Sequence, residues 1–193
     1  MKRLFLLFAV TLLTATHTCA QPFSDYFIDQ TLRIDYIFSG NTSQQLVALD
    51  ELSATEGWAG RRINLDKVPV RGNGEIRLID PESSKTIYRN TFSSLFQEWL
   101  VTDEASRLTK SFEATFLVPM PNREVEIEIT LLDNEGHLQT SMRHKVNPND
   151  KLIRKHSAQT SVRHEYLLQS GSSKECIDIV IVAEGYTQDE MDV

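Results

Sequence analysis

Paired histidines and glycine-rich loops are missing from these 193 residues, and cysteine is scarce. No two of the five histidines stand four residues apart, whereas a zinc hydrolase needs two histidines one helical turn apart with a glutamate between them. His164-Glu165 begins such a string, but Leu168 stands where the second histidine belongs. The chain also has no Gly-x-Ser-x-Gly, phosphate-loop or dinucleotide-binding pattern. We therefore predict no catalytic residue, no metal ligand and no cofactor in this chain itself.

The two cysteines exclude an internal disulfide. Cys19 lies in an N-terminal segment that we expect to be removed, so Cys176 has no partner in the mature chain. No histidine lies near Cys176 in the sequence to activate its thiol, and an apolar run follows it. We predict a small buried thiol rather than a reactive one.

The N-terminus has the pattern of a signal peptide. Lys2 and Arg3 precede an apolar run at residues 4–13, and small and polar residues end at Ala20. The run is too short to span a bilayer. We expect cleavage after Ala20 and export to the periplasm, the cell surface or the medium. The alternative, cleavage before Cys19 and its lipidation, is disfavoured because no aliphatic residue stands three positions upstream.

Basic residues are in deficit once this segment is removed. Loss of Lys2 and Arg3 leaves 18 of the 20 basic residues against 27 acidic ones, a net charge of −9 with histidine neutral. That balance argues against nucleic acid or an anionic membrane surface as a partner.

Alternation of apolar and polar residues dominates the chain from Asp29 to Val146 and predicts β-strands with one buried face. The clearest segments are Leu32–Phe38, Ile76–Leu78, Phe112–Val118, Val125–Leu131 and Leu138–Met142, with a weaker one at Gln44–Leu52. At least six such strands require a second layer, so we predict an antiparallel β-sandwich.

Turn residues add detail to this prediction. Asn73-Gly74 is typical of a hairpin, and residues 133–136 predict a tight hairpin between two strong strands. Pro119 and Pro121 are expected to end the strand before them.

One segment, residues 92–100, departs from the alternation. Phe92, Leu95, Phe96, Trp99 and Leu100 have helical spacing, which predicts a short helix at one end of the sandwich, with Thr91 or Ser93 as its N-cap.

A different composition begins at Asn147. Residues 147–174 are rich in Ser, Gln, Gly and basic side chains and read as a connection between domains. Ile177–Ala183 is a β-branched run typical of a strand buried on both faces, and Thr187 with Glu190 forms a capping box for a following helix. We therefore divide the chain into a signal peptide at 1–20, a β-sandwich domain at 21–146, a connection at 147–174 and the start of a second domain at 175–193.

Several polar groups are candidate sites. Glu124, Glu126 and Glu128 line one strand face, where calcium binding is an option but a solvated face is the usual outcome. His137 is expected in a solvated turn, and His144 follows the apolar register of its strand as a partly buried structural residue. Asn41-Thr42-Ser43 fits a glycosylation acceptor in a host that glycosylates there.

Two stretches of the chain resemble one known family. Thr86–Leu100 reads TIYRNTFSSLFQEWL and resembles a signature in the N-terminal domain of secreted IgA-type zinc metallopeptidases, peptidase family M-64. Ile177–Thr187 reads IDIVIVAEGYT and resembles the opening strand and turn of that family's catalytic domain.

The resemblance implies the N-terminal part of a peptidase whose zincin-like α/β catalytic domain is truncated soon after its first strand. Such a parent uses a zinc-bound water as nucleophile and a glutamate as general base. The family's zinc-binding helix lies well past the opening strand and nothing in this sequence matches it, so zinc is expected only for the full-length parent. This chain alone is then not catalytic, and whether an enzyme results depends on whether its end at Val193 is natural, a frameshift or the edge of a fragment. The expected partners are the missing catalytic domain and a secreted host polypeptide substrate.

An alternative is a secreted β-sandwich module that binds a glycan or a host protein and has no enzymatic activity. It requires aromatic side chains on a solvent-facing surface. Trp58 and Tyr88 are the best candidates, and Trp99 is a further one.

Overall fold

A computed structural model describes residues 22–68, 70–156, 165–172, 176–177, 179–182 and 185. The chain divides into two compact units, residues 1–158 and 159–193. The predicted signal peptide and the predicted helix after Thr187 lie outside the described residues. Within the described residues, no helix is long and apolar enough to cross a membrane.

The first unit is a β-sandwich, as the alternation predicts. Its strands are β1 (Phe27–Gly40), β2 (Gln45–Glu56), β3 (Gly74–Asp80), β4 (Lys85–Phe92), β5 (Lys110–Pro121), β6 (Val125–Leu132), β7 (Leu138–Val146) and β8 (Arg154–Lys155). Sheet one has the order β5-β1-β2-β8 and sheet two the order β4-β3-β6-β7. All neighbours are antiparallel except β2 and β8. The described part of this unit also contains one helix, α1 (Leu95–Leu100), and two 3-10 turns, Phe23–Asp25 and Asp103–Ser106.

The core lies between the two sheets and is built from every second residue of the central strands. Sheet one contributes Leu32, Ile34, Tyr36 and Phe38 of β1, all fully buried, and sheet two contributes Ile76, Leu78, Ile127, Ile129 and Leu131. Ile153, just before β8, also belongs to this core. Period-two burial is what a sheet with one covered face imposes on its sequence.

One turn prediction differs from the structure and another is confirmed. Gly74 is the first residue of β3 rather than half of a hairpin turn, and the hairpin that joins β3 to β4 lies at residues 81–84. Glycine is needed there for close approach, because a Cβ on Gly74 would lie 2.3 Å from the Phe92 ring and one on Gly72 would lie 2.2 Å from the Phe92 carbonyl oxygen. The tight hairpin at 133–136 is confirmed, with Gly136 at φ 91°.

The strand of Pro119 and Pro121 does not end before them. Both prolines belong to β5, opposite Thr31 and Phe27 of β1, with an irregularity of register between those two partners. β5 is an edge strand. Proline has no N–H and is tolerated there, because the outer side of an edge strand forms no hydrogen bonds to a further strand.

The predicted helix is shorter and begins later than its spacing suggests. Thr91 and Phe92 still belong to β4, a strand that the helical spacing concealed. The N-cap is Ser94, whose hydroxyl accepts a hydrogen bond from the Gln97 amide. Pairing with β3 therefore overrides local propensity up to Phe92, and α1 begins only where that pairing ends.

The strand predicted at residues 177–183 is not formed at its described positions. Ile177 and Ile179–Val182 have no regular secondary structure, and their side chains are at least 76% exposed. Cys176 is also exposed, contrary to the buried thiol predicted. The physical reason is the absence of a pairing strand for this run among the described residues, since an isolated strand has neither a ladder nor a core to stabilise it.

Candidate functional site

On the outer face of sheet two, the stripe of glutamates Glu124, Glu126 and Glu128 forms a ladder of ion pairs with basic side chains. Glu128 pairs with Arg77 of β3 and with Arg143 of β7, and Arg143 also reaches Glu126 at 3.0 Å. Glu124 pairs with Lys145 at 3.0 Å. The stripe is therefore neutralised by cations from both neighbouring strands, which leaves it no open carboxylate cage for calcium. The prediction of a merely solvated face is wrong for Glu128, which is 7% exposed.

Lowering the pH should weaken this ladder, because the Glu128 carboxylate becomes protonated and loses its charge. Burial acts to raise the pKa of the Glu128 carboxyl, but hydrogen bonds from Arg143 and Arg77 outweigh it and hold that pKa below its ordinary value of 4.5. The ionised carboxylate therefore stabilises the folded state above the unfolded pKa, and this contribution is lost as the pH falls through the lower folded pKa.

We expect Glu128→Gln to lower the free energy of unfolding by about 1–2 kcal/mol at neutral pH, because the hydrogen bonds lose their charge. The variant should then lose less stability than the unchanged chain between about pH 5 and pH 2. Urea denaturation at a series of pH values measures both effects. Glu124→Gln, on the exposed end of the same stripe, is the control with little effect. Identical acid slopes for the Glu128 variant and the unchanged chain would contradict the assignment.

His144 lies between the sheets, as its register predicts. Its Nε2 is 2.6 Å from the Tyr36 hydroxyl, and the two rings meet edge to face. Burial lowers the pKa of His144 and raises that of Tyr36, because the charged form of each is poorly solvated there. The pair is a neutral core contact between β1 and β7.

His137 belongs to a hairpin whose polar groups serve the turn. Asp133, Glu135 and His137 hold ligand atoms within 4.8 Å of one another. The Asp133 carboxylate accepts hydrogen bonds from the amides of Glu135 and His137, from His137 Nδ1 and from Gln139 Nε2. With one exposed histidine and a carboxylate occupied by the turn, the cluster does not fit the zinc site of a peptidase.

The alternative function requires aromatic side chains on a solvent face, and its two best candidates do not lie on one. Trp58 and Tyr88 are buried and meet edge to face, with Trp58 Nε1 donating to the Arg61 carbonyl. Trp99 is half-buried against Phe96 and Phe112 and donates to Glu104. Trp58 and Tyr88 form core, and the Trp99 ring has Lys110 Nζ over it, 5.5 Å from its centroid, so none of the three is an open stacking platform. Asn41 is also engaged, since its amide donates to Thr109 and its carbonyl accepts from Ser43 and Gln44 in the β1–β2 turn.

At one edge of sheet one, β5 is open to solvent along its outer side. β5 is 12 residues long, and among the described residues its backbone pairs only with β1. The facing edge, β4 of sheet two, is covered by the loop at residues 57–73. The Arg89 amide donates to the Leu65 carbonyl at 2.8 Å, and Thr91 Oγ1 donates to the Val70 carbonyl. One side of the sandwich therefore has a blocked strand beside a free one.

A groove of about 490 Å³ opens between these two edges. It is lined by Phe92, Ser94 and Leu95 on the β4 side and by Phe112, Ala114 and Phe116 on the β5 side. Phe92 and Phe116 meet at its base with ring centroids 4.5 Å apart, and Leu95 is 72% exposed. Glu113 is the one charged residue in its lining. An apolar groove beside a free strand edge is suited to binding an extended polypeptide.

A family model described as the N-terminus of peptidase M64 matches residues 22–143, nearly two thirds of the chain. This chain belongs to the peptidase M64 N-terminal family. The match confirms the resemblance seen in Thr86–Leu100, a stretch that runs through β4 and α1. Ile177–Thr187 lies beyond the match, so the start of a catalytic domain there stays a prediction. A search of curated proteins found no match to the chain.

Within the M64 N-terminal domain, sequence reasoning missed both the β5 edge and the groove. Alternation identifies β5 as a strand but does not say which strands flank it. The edge follows from the strand order, and the groove follows from the position of β4 and α1 opposite it. The one available signal was the pair of prolines in β5, which are typical of an edge strand.

Proposed function

We propose that this chain is the accessory N-terminal domain of a secreted zinc metallopeptidase of the IgA-peptidase type. In this role it orients the catalytic domain or positions a polypeptide substrate. The observation that carries the proposal is the family match over residues 22–143, which covers β1 to β6 and most of β7. Because this family is the N-terminal part of M64 peptidases, we expect the domain to be followed by a peptidase domain.

The distribution of polar groups supports an accessory role. The buried and clustered charges of the described residues are used in structure, as in the ladder around Glu128 and the turn around Asp133. In this proposal the peptide-bond chemistry belongs to the catalytic domain of the parent. The β5 edge and its groove are open features of the sandwich that suit binding.

Deletion of residues 21–146 from a full-length peptidase that carries this domain tests the proposal. We expect cleavage of a folded protein substrate to fall at least tenfold more than cleavage of a short peptide, because a short peptide needs no positioning away from the zinc site. Zinc content and the thermal midpoint of the remaining catalytic domain serve as controls for its folding. Equal loss on both substrates would assign the domain a structural role only, and no loss on either would overturn the proposal.

A further inference from the structure

β5 presents two different rows of side chains beside its free backbone edge. Phe112, Ala114 and Phe116 are half-buried towards the core, whereas Glu113, Thr115 and Leu117 are exposed, and both rows border the groove. Ala114 is the smallest side chain in its row and stands between two phenylalanines, which leaves a gap in the wall. A chain that pairs with this edge would place every second side chain into the groove.

The other sheet edges are less available. β4 is covered by the loop at 57–73, and β2 is partly covered by β8 at Ser53 and Ala54. β7, the outer strand of sheet two, carries two basic side chains in ion pairs, Arg143 and Lys145. β5 carries one, Lys110 at the start of the strand, which pairs with Glu104. Basic side chains discourage pairing at an edge. The two prolines limit the free part of β5 to its first nine residues, 110–118.

Charge at the groove selects for a basic ligand. Glu113 is exposed and forms no ion pair with any described residue, in contrast to the glutamates of sheet two. A lysine or arginine on the outward side of an added strand would lie next to this carboxylate. Opposite charges on neighbouring strands are favourable, and like charges are unfavourable.

We propose that the β5 edge binds an extended polypeptide with apolar residues at alternate positions and a lysine or arginine between them. Backbone pairing with residues 110–118 supplies the main contact, the groove around Ala114 takes an apolar side chain, and Glu113 pairs with the basic one. The inference rests on the proposed function in taking a polypeptide as the ligand. It deepens that function by naming the strand that binds and the sequence class that is bound.

Fluorescence anisotropy with three labelled synthetic peptides and the full chain tests the proposal. The first alternates valine and threonine around a central lysine, the second has glutamate in place of that lysine, and the third is the lysine peptide N-methylated at alternate residues. We expect the lysine peptide to bind roughly two- to fivefold more tightly than the glutamate peptide at low salt, as for an exposed charge pair. N-methylation should weaken binding at least tenfold, because it removes the backbone donors that pair with β5.

Charge reversal locates the site on the protein. Glu113→Lys should invert the preference, so that the glutamate peptide binds more tightly than the lysine peptide. Glu82→Lys is the matched control, since Glu82 is an equally exposed glutamate at the far end of β4 and has no ion pair among the described residues. This control should leave the preference for lysine unchanged.

Three results would overturn the inference. These are equal binding of the N-methylated peptide, an unchanged preference in Glu113→Lys, and sedimentation as a dimer whose β5 edge is occupied by a second copy. Each is separate from the proposed function, because peptide binding is measured on this chain without any catalytic domain. If the chain shows no preference for the lysine peptide while deletion of residues 21–146 has its expected effect, only the inference about β5 is contradicted.

Discussion

Phe38→Ala is expected to lower the free energy of unfolding by about 3–5 kcal/mol, the usual cost of truncating a large buried aromatic side chain. Phe38 is completely buried, and its ring contacts Phe92, Phe96 and Phe116 at centroid distances of 6.0, 6.3 and 6.2 Å. Its ring thus packs β1 against β4 of sheet two and the helix α1, and it also contacts a side chain of the neighbouring strand β5. Urea denaturation, with the slope of the transition compared between variants, measures the loss.

Leu46→Ala is the control for this experiment. Leu46 lies on β2, paired with Ser39 next to Phe38, but its side chain is 58% exposed. We expect a change within about 0.5 kcal/mol, because exposed positions contribute little to packing. A loss below about 1 kcal/mol for Phe38→Ala would show that this end of the core is not packed as the contacts indicate.

The second large effect is expected at Arg61, which holds the loop at 57–73 over the β4 edge. Its guanidinium donates to the carbonyls of Asn64, Lys67 and Leu65 at 3.0, 2.8 and 3.2 Å, and to the carbonyl of Arg89 on β4. It also lies over the Tyr88 ring, 5.3 Å from the centroid. Arg61→Ala leaves four carbonyls without this donor and should destabilise the closed loop by about 2–3 kcal/mol.

Hydrogen exchange measures this loss directly, because opening of the loop is a local event. In the unchanged chain the amides of Lys67 and Arg89 donate to the carbonyls of Asn64 and Leu65. We expect them to exchange roughly 30- to 140-fold faster in Arg61→Ala, which is the factor that corresponds to a loss of about 2–3 kcal/mol. A lysine at this position should not restore protection, since one ammonium cannot reproduce the fork that reaches both the loop and β4.

Arg62→Ala is the matched control for the loop. Arg62 is the next residue, is exposed, and donates to one backbone carbonyl, that of Trp58, besides its ion pair with Asp29. Exposed pairs of this kind contribute at most about 1 kcal/mol. Equal acceleration of exchange in both variants would show that Arg61 has no special part in covering β4.

The covering of β4 matters because it leaves only one of the two strand edges on this side of the sandwich able to pair with another chain. A long uncovered strand is a template for pairing with other chains, and proteins usually cover or charge such edges. Here β4 is covered by a loop fixed through Arg61, whereas β5 remains free along residues 110–118 and adjoins an apolar groove. This asymmetry is the basis for assigning binding to β5.

The strands were predictable where one face of a sheet is buried, as in Leu32–Phe38 and Val125–Leu131. Prediction failed where partners decide the structure. Residues 85–92 pair with β3 as β4, although the aromatic spacing from Phe92 onward favours a helix. Ile177–Val182 has strong β propensity but no regular structure at its described positions, since β propensity depends on neighbouring strands.

By itself, the sequence determined the class of the fold, the position of most strands and the N-terminal family of an M64 peptidase. It did so because alternation and local signatures are written into neighbouring residues. Only the tertiary structure decided that Glu128 is neutralised, that Trp58 and Tyr88 are core, and that β5 is an edge beside a groove. These properties depend on which distant segments meet, and a pattern of period two carries no record of the order in which strands assemble into sheets.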